Sequence, residues 1–410
     1  MKQFIKPFES LKYRDFRLLW MGLFISWLGS QLQIVAVIWH VYKLTNSPYS
    51  LALIGFARFL PLLIISPFSG IIADKYDRKK IILLAQTISI IGALLLCVTT
   101  FSNSISPLYI YLALVLNSVG VAIDSPARQS LIPTLVPKES LLNALGLTTT
   151  MYQTTMVLGP AIAGFLIASF NIGFIYLLNA LSYIAVIIAA LFIKAETRQI
   201  DSKVSFSFAS LKEGFIFVFS RPLIASTMLL DFFATFFASA TTLLPIFAKE
   251  ILSVGPQGLG LLYAAPSVGA ILTGIIFSSH RHIRHQGKIL IAAVSLYGLA
   301  TVFFALSKSL ILSFFFLTLT GVGDIISAII RNTLRQLATP NIMRGRMTSV
   351  SMIFYLGGPH LGEVEAGLAA GMIGLVPSVI LGGVATVLLT VVTYALVPKL
   401  RSYHGDEIVI

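Results

Sequence analysis

The sequence predicts an all-α integral membrane protein, with twelve transmembrane helices in two pseudo-symmetric six-helix bundles. Three observations predict it. Hydrophobic residues make up 57% of the 410 and charged residues 11%, against about 25% charged in a soluble domain, and mean hydropathy is +0.91. Apolar runs long enough to cross about 30 Å of hydrocarbon as helices recur along the whole chain. The two halves carry matching segments 200 and 203 residues apart. A water-soluble enzyme is excluded, because no globular core of this length hides so much apolar surface. Disorder is excluded by 29 Phe and few charges.

The elements follow in order. The first seventeen residues are basic and amphipathic, and no small-residue cleavage site follows them, so the first span reads as a retained helix and not a removed signal peptide. Spans are expected at about 17–41, 49–73, 81–101, 107–131, 141–169 and 171–193. Each is a continuous run, where a membrane strand would alternate over ten residues. The polar stretch 194–221 reads as a cytoplasmic linker between an N-terminal bundle, 1–193, and a C-terminal bundle, 222–410. Spans resume at about 222–248, 257–278, 288–307, 309–331, 346–370 and 373–397, before a short tail.

An even number of spans puts both termini on one side, and positive charge says which. Of the 29 Lys and Arg, 25 fall on that side; Lys43, Lys249 and Lys308 lie on the other, and Arg58 lies within a span. Both termini are therefore expected in the cytoplasm. The net charge of +13 then reflects insertion topology and an anionic inner leaflet, and no nucleic-acid partner is implied. Cys97 is the single cysteine, so no disulfide forms within the chain and no cysteine metal motif exists. His280, His282 and His285 read as a solvated basic loop and not as a metal site. His40 and His360 have no assigned task.

The halves repeat. Phe8-Glu9-Ser10-Leu11-Lys12 recurs as Phe208-Ala209-Ser210-Leu211-Lys212, and Arg128-Gln129-Ser130-Leu131 with Pro137 recurs as Arg331-Asn332-Thr333-Leu334 with Pro340. Two six-helix halves related in this way are the layout of a secondary transporter with its substrate site near the bilayer midplane.

After the second span comes Gly70-Ile71-Ile72-Ala73-Asp74-Lys75-Tyr76-Asp77-Arg78-Lys79-Lys80. Gly70 admits a close neighbour, Asp74 ends a helix where it can pair with Arg78 or face a helix N-terminus, and the Arg78-Lys79-Lys80 run holds the loop inside. This resembles the cytoplasmic loop signature of the major facilitator superfamily. Asp77 stands where that superfamily usually has Gly, and Asp tolerates a left-handed turn better than most residues. In the fifth span, Leu158-Gly159-Pro160-Ala161-Ile162-Ala163-Gly164 resembles the Gly-Pro element of the antiporter branches. Pro160 bends the helix, and Gly159 and Gly164 permit tight packing. Asp124 to Arg128 with Leu135-Val136-Pro137, Leu243-Leu244-Pro245 with Gly258 to Leu262, and Gly362 to Gly367 resemble the subgroup of the enterobactin exporter and the macrolide efflux proteins.

Ionisable groups in hydrocarbon are costly, so those present are site candidates: Arg58, Asp124, Asp231, Asp324, Glu363 and Glu365. The resemblance implies that the first, fourth, seventh and tenth helices line a central cavity. Asp124, Asp231 and Asp324 fall on three of these, and the first offers Gln31 and Gln33. Gln31 and Asp231, like Asp124 and Asp324, are 200 residues apart. Asp231 is the first choice for proton coupling or for a cationic substrate group, since burial favours a carboxylate that binds a proton reversibly. Asp324 is the second. Asp124 also suits an intrahelical pair with Arg128 four residues on. Asn117, Gln153, Asn179 and Tyr183 either line the cavity or bond across helices. Glu363 and Glu365 point about 200° apart on a helix, so one of them at most faces Arg58, in an outer gate, a proton-sensitive latch or a static ion pair.

The expectation is a monomeric, proton-driven exporter of a small amphipathic molecule, a siderophore or a drug such as a macrolide, in a bacterial inner membrane. It needs no cofactor, and its partners are substrate, protons and the lipid bilayer. No phosphate-binding G-x-x-x-x-G-K-[ST] segment is present. Rival readings on the same fold are a uniporter or importer of a metabolite, a lipid mover, or a sensor whose output surface is the linker.

Overall fold

The computed structural model describes residues 8–195, 208–278, 284–340 and 343–405. They form α1 (Arg14–Thr45), α2 (Pro48–Lys75), α3 (Arg78–Phe101), α4 (Pro107–Leu131), α5 (Lys138–Ser169) and α6 (Ile172–Phe192). The second half follows as α7 (Phe208–Phe219), α8 (Pro222–Phe237), α9 (Leu244–Ile246), α10 (Gly255–Ser278), α11 (Gln286–Leu306), α12 (Leu310–Ala338), α13 (Arg344–Ile373), α14 (Leu375–Leu396) and α15 (Pro398–Arg401). Eleven helical stretches among the described residues are long and apolar enough to cross a membrane. The 30-residue α13 lies where the remaining expected span falls. This is an all-α integral membrane architecture, as the sequence predicts.

Helix boundaries follow local chemistry. Pro48, Pro107 and Pro222 open α2, α4 and α8, where a missing N–H costs nothing. The Asn171 side chain caps α6 by accepting from the Gly173 N–H at 2.8 Å. Gly374, at φ 93, is the whole connection between α13 and α14, a conformation open to glycine and strained for other residues.

The seventh span was expected to run unbroken over 222–248. Instead α8 stops at Phe237, and a 3₁₀ turn (Thr241–Leu243), the one-turn α9 and a π turn (Phe247–Ile251) carry the chain on. Pro245 accounts for part of the break: it has no N–H to give the Thr241 carbonyl four residues back. The Tyr263 hydroxyl of α10 donates to that carbonyl at 2.8 Å. Part of the expected linker is also helical: α7 packs against α13.

The chain divides into two compact units, described over their described residues: Met1–Leu44 with Leu60–Phe206, and Thr45–Phe59 with Ser207–Ile410. The first part of α2 thus belongs with the second unit, where Gly55 lies against His360 and Glu363, and Ala52 against Gly367. Inside the first unit, α3 packs on α4 and α6, and α5 on α6. Inside the second, α11 packs on α12 and α14, α13 on α14 and α8, and α14 on α8. Lipid tails are as apolar as leucine, so close packing and polar bonds hold such helices together.

The repeat is visible at single contacts. Gly159 of α5 lies against Gln31 of α1, and Gly362 of α13 against Thr235 of α8. Gly120 of α4 lies against Ser89 of α3, and Gly323 of α12 against Ala293 of α11. These partners are 203 or 204 residues apart, so Gln31 corresponds to Thr235 and not to Asp231. The 200-residue spacing holds only for the segments before the first span of each half. There a short 3₁₀ turn (Glu9–Lys12) in one half is replaced by the longer α7 in the other.

Candidate functional site

Three polar centres are built into these helices. The first joins α8 and α12. The Arg331 guanidinium pairs with the Asp231 carboxylate, both side chains about 15% exposed. Arg331 Nε also donates to the Ser327 carbonyl one turn back, at 3.2 Å, which fixes the direction of the side chain. Removing two opposite charges from water is costly, and their attraction offsets that cost only while both remain. Asp324, two turns before Arg331 on α12, is exposed and has no ion-pair partner among the described residues.

The second centre lies in the first unit. Asp124 is buried, with Arg128 at 3.0 Å four residues on. It also accepts from Gln86 Nε2 of α3 at 3.3 Å. Arg128 in turn lies over the Trp27 ring of α1, 4.9 Å from its centroid. Trp27 and Asp231 correspond in the packing repeat, as do Arg128 and Arg331. Both arginines hold a carboxylate, Arg128 that of Asp124 on its own helix and Arg331 that of Asp231 on α8, and the first half places an aromatic face where the second has Asp231. Above this level, Asn117 Nδ2, Asn179 Nδ2 and Ser30 Oγ converge on the Tyr183 hydroxyl at 2.6, 3.2 and 3.2 Å. Asn179 Nδ2 also donates to Gln33 Oε1 at 2.8 Å. Gln33, Asn117, Asn179 and Tyr183 thus bond across α1, α4 and α6, and Gln31 rests on Gly159 of α5.

The third centre is in the second unit. Arg58 Nη1 donates to Glu363 Oε1 at 3.2 Å. His360, one turn earlier on α13, holds its Nδ1 3.6 Å from Glu363 Oε2. Glu365 is half-buried and makes no ion pair among the described residues.

The loop motif differs from expectation in one respect. Asp77 does not adopt a left-handed turn: its φ is −59°, and its side chain accepts from the Lys79 N–H at 2.8 Å as the N-cap of α3. A carboxylate at a helix N-terminus is favoured by both the capping bond and the dipole, which explains Asp here without any glycine-like conformation. Lys79 Nζ donates to the carbonyls of Leu191 and Ile193 at 3.0 and 3.3 Å, and so caps the end of α6. Arg78 is buried. Gly70 and Asp74 lie within α2, and the Asp74 side chain lies outside the described ones. In α5, Gly159, Pro160 and Gly164 are all buried. His280 and His282 lie outside the described residues, and His285 precedes α11 at φ 61°. Among the described residues no group of three or more His, Cys, Asp or Glu is placed to hold a metal.

Two partners are not assigned by the sequence. Arg331 counts there only among the Lys and Arg of the cytoplasmic side, although its repeat mate Arg128 is matched to a membrane Asp. His360 has no task there, although its spacing of three to Glu363 puts both on one helix face.

The comparisons with known proteins come from sequence and from fold. A family profile described as transmembrane secretion effector matches residues 5–408. The enterobactin exporter of Salmonella typhi is 28% identical over 393 residues, covering 95% of this chain and 94% of that protein. The staphyloferrin A transporter of Staphylococcus aureus is 25% identical over 403 residues, covering 93% and 97%. Among solved structures, a bacterial homologue of ferroportin in an inward-facing state superposes with a TM-score of 0.75 at 17% identity, covering 95% of this chain and 99% of that one. A bacterial homologue of the lysosomal transporter Spinster gives 0.69 at 17% identity, covering 96% and 98%. At such identities the structures speak for the fold.

Proposed function

The chain belongs to the transmembrane secretion effector family of major facilitator transporters, and from that premise we propose that it exports a siderophore across a bacterial inner membrane. The observation that carries the reading is likeness along nearly the whole chain to two transporters named for different siderophores. Transport proceeds by alternating access, with proton entry driving substrate exit. A carboxylate serves this exchange when its charge is free to be neutralised in one step and restored in the next. Asp124, Asp231 and Glu363 each hold an arginine. Asp324 does not, and lies on the same helix as Arg331, so the proton-carrying role passes from Asp231 to Asp324. Arg331 with Asp231 then gives a neutral pair that an ionised substrate group can open. The distribution of its Lys and Arg puts both termini in the cytoplasm, and the chain is read as working as a monomer.

The test is expression in an enterobactin-producing strain that lacks its own exporter. Restored release of enterobactin into the medium supports the reading. Unchanged release together with new resistance to a macrolide would move the substrate to drugs. In everted vesicles, siderophore addition should dissipate a preset pH gradient; a gradient that stays intact while siderophore accumulates would remove proton coupling.

A further inference from the structure

The segment that opens α11 and the tail that follows α15 lie side by side in the second unit, beyond the ends of the spans Gln286–Leu306 and Leu375–Leu396. The Gly287 N–H donates to the Tyr403 carbonyl at 3.0 Å, and Gly287 lies so close to the Leu400 carbonyl that no Cβ fits between them. The Tyr403 side chain is buried and packs with Leu334, Ala338 and Met347. Gly405 lies against the Gln286 side chain. Residues 285–287 and 403–405 are thereby fixed next to each other through their backbones.

This packing brings two imidazoles together. The rings of His285 and His404 stand 4.6 Å apart between centroids, at 72° to each other, and both residues are exposed. Two imidazoles that share one ion through metal–nitrogen bonds of about 2.0–2.1 Å have their ring centres about 4.5–5 Å apart. The two rings can therefore turn their nitrogens onto one ion without any movement of the backbone. The backbone at His285 is a second observation. Its φ is 61°, in the left-handed region where a residue with a Cβ is strained. Its carbonyl accepts the Ile289 N–H at 3.1 Å as α11 begins, while its ring makes no capping bond to that helix. A strained histidine whose side chain does nothing for its own helix points to another use for the ring.

We propose that His285 and His404 form a two-histidine site for a divalent transition-metal ion, Zn²⁺, Ni²⁺ or Cu²⁺, with water in the remaining positions. Each neutral imidazole gives one nitrogen lone pair, and no electron is transferred. Imidazole suits these ions, whereas Mg²⁺ and Ca²⁺ take oxygen ligands. Neighbouring charge sharpens that choice. Arg284 and Lys288 flank one histidine, and Lys399 and Arg401 precede the other, all four exposed. A cation held by charge alone is repelled there, and one held by nitrogen donation is kept. The bound ion ties the tail to the start of α11, as a metal clip closes a long loop. The sequence hides the site, because it groups His285 with His280 and His282 while the partner stands near the far end of the chain. His280 and His282 lie outside the described residues and are assigned no part. The site goes beyond the exporter reading and does not rest on it.

The experiment is a calorimetric titration of Zn²⁺ into the full chain in lipid nanodiscs, purified through a tag without histidine, in a buffer that holds Mg²⁺ and no siderophore. The parent should bind Zn²⁺ saturably in the presence of Mg²⁺. Groups that touch a metal only through its ligands are worth about 10–100-fold in affinity. Loss of a ligand itself, in His404→Ala or in His285→Asn, should therefore weaken Zn²⁺ binding at least about tenfold. Asn at 285 keeps the left-handed backbone accessible. The double variant His280→Ala with His282→Ala should bind as the parent does. Pulsed EPR of the Cu²⁺-loaded chain counts the imidazoles, with two expected in the parent and one in each single variant. Absence of saturable Zn²⁺ binding overturns the proposal, as does binding that neither single variant weakens or that the double variant abolishes. If one single variant does not fold, the other decides alone. Because the probe is the metal alone, a chain that releases no siderophore yet binds Zn²⁺ in this way ends the exporter reading and leaves this one standing.

Discussion

Arg331 of α12 holds the carboxylate of Asp231 on α8, whereas at the matching place in the first half Arg128 lies over the ring of Trp27. The two arginines occupy equivalent positions, but Arg128 takes its carboxylate, Asp124, from its own helix, whereas the Arg331 pair joins two helices.

Removing one member of the Asp231–Arg331 pair leaves the other charge buried and uncompensated, at a cost of about 3–5 kcal/mol. Asp231→Asn and Arg331→Gln should each lower the thermal midpoint of the detergent-purified protein. The double variant should recover much of the loss and still transport poorly. Equal losses in single and double variants would mean that the pair is not coupled.

Asp324 has no ion pair to lose among the described residues, so Asp324→Asn should fold and insert normally. Its proton-coupled export should fall at least about tenfold, corresponding to about 1.4 kcal/mol on the limiting step. The comparison is uptake into everted vesicles with and without a pH gradient; undiminished gradient-driven uptake would take the proton away from this residue.

At Gly362 an added Cβ meets the carbonyl oxygens of Thr235 and Phe236, while at Gly159 it meets the Gln31 side chain. The Gln31 atom met is its Cβ, fixed to the backbone of α1, so neither neighbour can rotate away and Gly362→Val and Gly159→Val should each destabilise. Overpacking of this kind costs about 1–3 kcal/mol. Thermal melts of the two variants against the parent test this, and an unchanged midpoint in either would mean that its contact is not tight.

Asp77 caps α3 through its side chain. Asp77→Ala should cost about 1 kcal/mol and Asp77→Gly only a few tenths. Were the position left-handed, Gly would instead be the best residue there. The two melts, compared with the parent, separate these cases.

The spans were legible because hydrocarbon imposes a length and a composition that no other segment of the chain satisfies. The Arg58–Glu363 contact was legible because two unlike charges inside a membrane have few places to go. The register between the halves was not: α7 in one half and a short 3₁₀ turn in the other shift the spacing from 200 to 203–204, and residue matching sees only the spacing it starts from. That slip of one helical turn assigned Asp231 to Gln31 and hid its likeness to Trp27. The break after Phe237 was hidden too, because the residue that completes it, Tyr263, lies far along the chain from Pro245.

The joint at Gly374 is one residue long. A hinge that short transmits and does not absorb. Any lean of α13 would be carried into α14, which packs on α8 and α11, and lengthening that joint by a few flexible residues would uncouple α14 from α13.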